Sequence, residues 1–454
     1  MRRDPTPLLL GLGLFLIYTA NGRPIGAGDV VPATLLPVAL LRGDGPVLDR
    51  FEAVLRTSDG RLPGYVEEAR GHIVSRYPIG PALIAAPFVL PQLAVLDRLD
   101  PDWERDRSRV RPRCAQMGKN AAAAIVALSA VVMLSVLRRI GLRRVALPAA
   151  AIVALGSDSA AVAAQAPWQH GPAELCLATA MLLLIGGRSP ARLALAGLAT
   201  ALVVVCRPID LVYAAAVALW VLFHHDRPRR WAFFGPAGAA AVALAGYHLW
   251  FFDTLTGGYA AIEQMHPWAH GTRGTWTAPL LEGASGTLFS PSHGLFVYCP
   301  WVPLALGMLL WIRFRGERFF LLPQGGGDGS RVGESLSTYL LVSLVPSFVL
   351  LAKYSCWWGG HCFGPRFWID ANPIFTVALA AALEWARLRC RPGLLALTAA
   401  AAWAVAVQAV GMLCYPSSWH GSPVNADRHH ERLWDWSDSE LTRCLREGIR
   451  PRAW

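Results

Sequence analysis

Pro78–Leu96 reads PIGPALIAAPFVLPQLAVL, an uncharged and mostly apolar run long enough to reach across hydrocarbon. Whether it crosses sets the side on which every later segment lies. A crossing here puts Arg138, Arg139, Arg143 and Arg144 outside, with no acid among them. Short inner loops normally carry the basic excess, so that placement is disfavoured. Pro81, Pro87 and Pro91 also weaken a regular helix, because each removes a backbone donor. The segment is expected to be a juxtamembrane or re-entrant helix with both ends outside, which is tolerated where backbone lines a cavity.

With that segment set aside, apolar runs predict spans at roughly 7–20, 118–137, 145–157, 172–186, 191–206, 209–223, 231–252, 294–312, 336–352, 370–386 and 393–413. The expected fold is an all-α polytopic bundle of about eleven crossings with the N-terminus inside. Arginine runs then fall on inner loops at Arg138–Arg144, Arg188–Arg192, Arg227–Arg230, Arg313–Arg318 and Arg387–Arg391. Met1-Arg2-Arg3 ahead of the first run fits an uncleaved signal anchor. Composition agrees. Of 454 residues, 54% are hydrophobic and 16% charged, and the mean hydropathy is +0.37. Soluble domains are nearer about 25% charged, so a disordered chain is excluded and a soluble enzyme disfavoured. The net charge of +11 sits in loop arginines, so nucleic acid is not an expected partner.

The transmembrane domain is assigned to residues 1–413. Within it, residues 21–112 form a first outer loop with juxtamembrane helices, and residues 414–454 form an outer tail. In the loop, Val47, Leu48, Phe51, Val54 and Leu55 recur at helical spacing opposite Asp49, Arg50, Glu52 and Arg56, predicting an amphipathic helix lying in the interface. Residues 64–68 and 72–76 flank Ala69-Arg70-Gly71 and predict a hairpin. Trp168, Trp250, Trp301, Trp311, Trp357, Trp358 and Trp368 sit near span ends, as an aromatic belt would. Among nine cysteines, Cys356 with Cys362 and Cys414 with Cys444 are candidate disulfide pairs in an oxidising compartment. The glycine-rich stretch at 324–330 lacks the Lys-Ser/Thr of a P-loop and is expected to be a flexible inner loop.

Five constellations can carry chemistry. Asp29 closes Asn21-Gly22-Arg23-Pro24-Ile25-Gly26-Ala27-Gly28-Asp29; its carboxylate suits a general base or a helix cap. Arg76 and Tyr77 precede Pro78; they suit a phosphate and a sugar or isoprenoid, or interface anchoring. Trp168, Gln169 and His170 suit a sugar platform with hydrogen-bond partners, or a packed turn. Arg207 lies three residues before Asp210, giving a lipid-phosphate ligand or a structural ion pair. The stretch from Lys353 to Phe367 holds Trp358, His361 and Arg366 among glycines and aromatics, suiting a carbohydrate with an anionic head group, or anchoring by the Trp pair. His266 with His270, and His420 with His429 and His430, lack a third ligand at near spacing, so solvated loop histidines and no metal site are expected.

The order of these elements resembles bacterial integral-membrane glycosyltransferases of the GT-C fold, in the branch related to protein O-mannosyltransferases and aminoarabinose transferases. The resemblance rests on Gly28-Asp29, Tyr77-Pro78-x-Gly80-Pro81, Trp168-Gln169-His170-Gly171-Pro172, Arg207-Pro208, Ser290-Pro291-x-x-Gly294 and Trp357-Trp358-Gly359-Gly360…Phe363-Gly364-Pro365-Arg366. It implies a polyprenyl-phosphate-linked sugar donor and an acceptor glycan, lipid or protein. It also implies an active site facing the periplasm from a bacterial inner membrane, with Asp29 as the base. Relatives carry a second acid next to the first. Val30 stands there, so the resemblance does not carry a divalent-metal requirement over to this chain, and no cofactor is assigned. A transporter or flippase of a lipid-linked saccharide is the alternative; it predicts related halves or broken helices at matching positions, and none is evident.

Overall fold

The apolar runs form helices whose ends follow from capping residues. The computed structural model describes residues 4–187, 189–259, 261–262, 274–315, 328–415 and 417–449. His266, His270 and residues 324–327 lie outside them. In chain order the helices are α1 (Thr6–Thr19), α2 (Val31–Arg42), α3 (Glu52–Leu55), α4 (Gly80–Leu99), α5 (Arg107–Arg139), α6 (Arg143–Leu155), α7 (His170–Ile185), α8 (Pro190–Cys206), α9 (Leu211–His224) and α10 (Arg227–Phe252). Then come α11 (Leu280–Phe289), α12 (Leu295–Tyr298), α13 (Trp301–Phe314), α14 (Asp328–Lys353), α15 (Asn372–Arg389), α16 (Arg391–Cys414) and α17 (Glu440–Glu447). Asp106, Ser189 and Asp226 cap α5, α8 and α10 by accepting from backbone N–H groups two or three residues on, the usual start signal.

Among the described residues, six helices are long and apolar enough to cross a membrane, and shorter apolar helices accompany them. The predicted spans 118–137, 231–252, 336–352, 370–386 and 393–413 fall within five of the six; the sixth is α4. α4 is one continuous helix of 20 residues despite Pro87 and Pro91. The two prolines are four apart and both exposed, while Ala82, Ala85, Val89 and Leu93 form an unbroken buried stripe. The lost backbone donors therefore lie on one outward side and leave the packed face intact.

Contacts fix which helix ends lie together. Asp4 pairs with Arg138 at 2.7 Å, and Arg139 donates to the Leu182 carbonyl at 3.3 Å, so the start of α1 and the ends of α5 and α7 share one face. Lys119, well up α5, bonds to Asn21 at 2.9 Å, just beyond α1. α4 runs antiparallel to the first half of α5: Asn120 donates to Gln92 at 2.9 Å, and Arg109 pairs with Asp100 at 3.1 Å. Its other end abuts the end of α8. A Cβ on Gly80 would stand 2.5 Å from the Val205 carbonyl oxygen, so only glycine admits that approach.

Residues 21–112 form a packed module whose core holds Leu35, Leu36, Phe51, Leu55, Ile73 and Trp103 and is shared with Met117 of α5. The interfacial helix expected over 47–56 is a 3-10 turn at Asp49–Phe51 followed by the short α3. Its apolar side faces protein, because the module buries Leu48, Phe51 and Leu55. The hairpin forms as expected, pairing β1 (Val66–Ala69) with β2 (His72–Ser75) in the register Ala69 opposite His72. Arg70 and Gly71 both take positive φ, 53° and 82°, the twist-matching geometry of a two-residue hairpin turn.

Of the seven belt tryptophans, only Trp250 and Trp311 face outward; the others are buried. Trp357 and Trp358 are the core on which the tail folds, with Trp419, Ala426 and Leu433. Neither candidate disulfide forms, and all nine cysteines are free thiols.

Candidate active site

Six separate segments meet around one cavity of about 680 Å³. Asp29 comes from a 3-10 turn ahead of α2. Tyr77 follows β2, and Trp168, Gln169 and His170 open α7. Arg207 is the residue after α8, Tyr259 lies beyond α10, and Arg366 begins a 3-10 stretch leading into α15. Polar side chains at such helix ends are costly in an apolar bundle unless they face one another or a cavity, and here they do both.

Arg366 Nη1 donates to Asp29 Oδ2 at 2.9 Å, with both side chains only 14% exposed. Its guanidinium carbon lies 4.6 Å from the Trp168 ring centre. Asp29 Oδ1 is buried and has no hydrogen-bond partner, which leaves one carboxylate oxygen unsatisfied at the cavity wall. Arg207 Nη1 donates to Asp210 Oδ1 at 3.3 Å and to Asp370 Oδ2. The ion pair of Arg207 with Asp210, the structural alternative for those residues, is therefore real, yet Arg207 still lines the cavity. Both guanidinium carbons stand within 5.5 Å of the Phe367 ring centre, so two cations flank one aromatic ring. His170 Nδ1 lies 2.9 Å from Asp370 Oδ2, which completes a buried network of His170, Asp370, Arg207 and Asp210.

Tyr259 donates to Gln169 Oε1 at 2.8 Å and meets Tyr77 edge-on at 6.3 Å. Burial, with the nearby Asp29 charge adding to it, pushes the Tyr77 phenol well above its ordinary value; burial pushes Tyr259 up to about 12. Both stay protonated donors at neutral pH. The remaining wall is apolar, including Val204, Leu211, Leu244, Leu255, Ile262 and Leu351.

Seven of the predicted residues line this cavity: Asp29, Tyr77, Trp168, Gln169, His170, Arg207 and Arg366. Four do not. Arg76 turns back to the hairpin and pairs with Glu67 at 2.8 Å. Lys353 Nζ donates to the Ala278 carbonyl at 2.8 Å. Trp358 is buried and donates to Asp427 at 2.9 Å. His361 also pairs with Asp427, at 2.9 Å; it borders a smaller cavity of about 160 Å³ beside Gly26–Gly28. Sequence reading missed Asp370 and Tyr259. Asp370 carried a signal, since it is an acid set in the apolar run that follows Arg366. Tyr259 carried none.

Among the lining residues Asp29 is the one carboxylate, and it is already paired. Hard divalent cations take several oxygen ligands, so this wall does not make a cage for one. His420, expected to be solvated, is instead buried beside His293 and Glu440, whereas His429 is exposed.

No protein-family model matches the chain, and no curated protein matches it in sequence. A solved structure shares its fold. The apo crystal structure of the Archaeoglobus fulgidus oligosaccharyltransferase aligns with 100% of this chain at a TM-score of 0.50 and 11% identity. The oligosaccharyltransferase AglB of the same organism, solved with an inhibitory peptide and a dolichol-phosphate, aligns with 99% at a TM-score of 0.46 and 10% identity. The chain spans 62% and 61% of those two proteins. At this identity the likeness is one of fold: a GT-C-like helical bundle.

Proposed function

We propose that this chain is a multi-pass membrane glycosyltransferase. It moves a sugar from a polyprenyl-phosphate donor to an acceptor hydroxyl on the outer side, with inversion. The observation that carries the reading is a single cavity lined by a carboxylate with one unsatisfied oxygen, two guanidinium groups and an apolar flank. The Asp29 carboxylate takes the proton of the acceptor hydroxyl. The acceptor oxygen forms the new bond to the anomeric carbon as the carbon–oxygen bond to the phosphate breaks. The electron pair leaves with the phosphate oxygen, and Arg366 and Arg207 stabilise the charge that develops there. A lipid phosphate is already a good leaving group, so one carboxylate suffices, unlike the pair commonly used in glycoside hydrolysis. The apolar wall suits the isoprenoid chain, and Trp168 suits a sugar face.

The proposed topology has about eleven crossings, with α4 outside. Both ends of α4 are tied to helix ends on the same face, at Cys206 and at Arg109, which supports a juxtamembrane helix. The test of function is deletion of the gene. Loss of an envelope glycan with accumulation of a lipid-linked sugar is expected, and both should reverse on complementation. Unchanged glycans and unchanged lipid-linked pools would remove the proposal. Loss of outward transport with no glycosidic product formed by the purified protein would favour the flippase.

A further inference from the structure

Three buried side chains outside the cavity converge with no charge partner sufficient for all of them. His293 precedes α12, His420 follows α16, and Glu440 opens α17. Their exposures are 2%, 0% and 0%. Their facing ligand atoms all lie within 4.8 Å of one another. His293 Nε2 is 3.9 Å from Glu440 Oε1, and His420 Nε2 is 2.9 Å from the same oxygen.

The backbone of one residue aims two of the three. His293 Nδ1 donates to the Gly364 carbonyl at 3.0 Å, which leaves the Nε2 lone pair directed into the cluster. The Gly364 N–H donates to Glu440 Oε2 at 2.9 Å, which leaves Oε1 facing inward. His293 Nε2 is buried without a hydrogen-bond partner, and Glu440 Oε1 makes no aligned hydrogen bond, with only the His420 ring nitrogen at 2.9 Å beside it. Orphaned buried groups of this kind are expensive and call for an explanation. A protonated His420 paired with Glu440 would still leave His293 Nε2 unsatisfied, whereas one cation satisfies all three atoms.

We propose that His293, His420 and Glu440 bind a single zinc ion that pins the C-terminal tail to the Gly364 loop. Two imidazoles and a carboxylate form a known zinc donor set. Tetrahedral zinc with bonds of about 2.1 Å separates its ligands by roughly 3.4 Å, between the two distances seen here. The hydrogen bonds through Gly364 are the outer shell such a site needs. The Tyr415 hydroxyl, 2.7 Å from His420 Nε2, holds that lone pair when no metal is bound and gives it up on binding. Gly364 is two residues before Arg366, so the ion ties the tail to the strap that carries a cavity guanidinium. This site is separate from the transfer cavity and independent of the reading given to it.

The test uses the full chain, purified in detergent, stripped with chelator and titrated with zinc. Bound metal is read by mass spectrometry after gel filtration, and Tm is followed in parallel. About one zinc per chain and a higher Tm on reloading are expected. Glu440→Gln retains an acceptor for Gly364 while losing the anionic ligand; its zinc affinity should fall by about 100-fold or more. A His266→Ala/His270→Ala variant should keep its zinc. The proposal is overturned if the wild-type chain retains no zinc, or if Glu440→Gln binds it as well as wild type does.

Discussion

Replacing Asp29 by Asn separates the proposed base role of this side chain from its ion pair with Arg366. Asn keeps the volume and an amide oxygen for Arg366, but it cannot take a proton. A positioned general base typically contributes 10²–10⁴-fold in rate, about 2.7–5.4 kcal/mol of barrier. The structural loss should be smaller. Removing one partner of a fully buried ion pair costs ~3–5 kcal/mol, and an exposed pair is worth ~0–1 kcal/mol. Asp29 and Arg366 are 14% exposed at a cavity wall, and the Asn oxygen retains part of the contact, so about 1–2 kcal/mol is expected. The assay uses protein in nanodiscs with the lipid-linked sugar that accumulates in the deletion strain, and follows release of polyprenyl phosphate by mass spectrometry. Turnover should fall at least 100-fold while donor binding persists. Arg366→Met supplies the control. If Asp29 served only to hold Arg366, the double variant would be no slower than Arg366→Met. If Asp29 is the base, the double variant loses a further factor of about 100. Turnover by Asp29→Asn within tenfold of wild type, or a double variant equal to Arg366→Met, would refute the assignment.

Asp370→Ala leaves Arg207 and His170 without their shared anion and should cost about 3–5 kcal/mol, read as a large drop in Tm; an unchanged Tm would show that the network contributes little. Gly80→Ala drives a methyl into the Val205 carbonyl and should destabilise by about 1–3 kcal/mol; wild-type stability would mean that α4 and α8 do not meet this closely. With the native thiols replaced, Asp102→Cys should react with an impermeant maleimide from outside, and Arg144→Cys should not. Labelling of Arg144→Cys would mean that α4 crosses.

Much of the site could be read from linear order because its residues sit at helix ends. Polar side chains interrupting apolar runs are few, and each is costly unless it faces a cavity or a partner; Asp29, His170, Arg207 and Arg366 all stood out on that ground. The same rule misjudged Lys353 and Trp358. It shows that a group needs a partner, but not which one: a carbonyl on the loop before α11 for Lys353, and Asp427 in the tail for Trp358. The amphipathic stretch at 47–56 failed for a related reason. Periodicity reports that one face is apolar and is silent on whether lipid or protein covers it.

The sequence by itself determined the helical bundle, the hairpin turn and the segments that carry polar chemistry. These depend on local propensity, on hydrophobic length and on the positive φ available at Gly71, all written within a few residues. Only the tertiary structure decided that Asp29 meets Arg366 across 337 positions, that Asp370 joins Arg207 to His170, and that His293, His420 and Glu440 converge. Those pairings arise from helix packing, where ionic and hydrogen-bond energies depend on separations of a few ångströms that no spacing along the chain encodes.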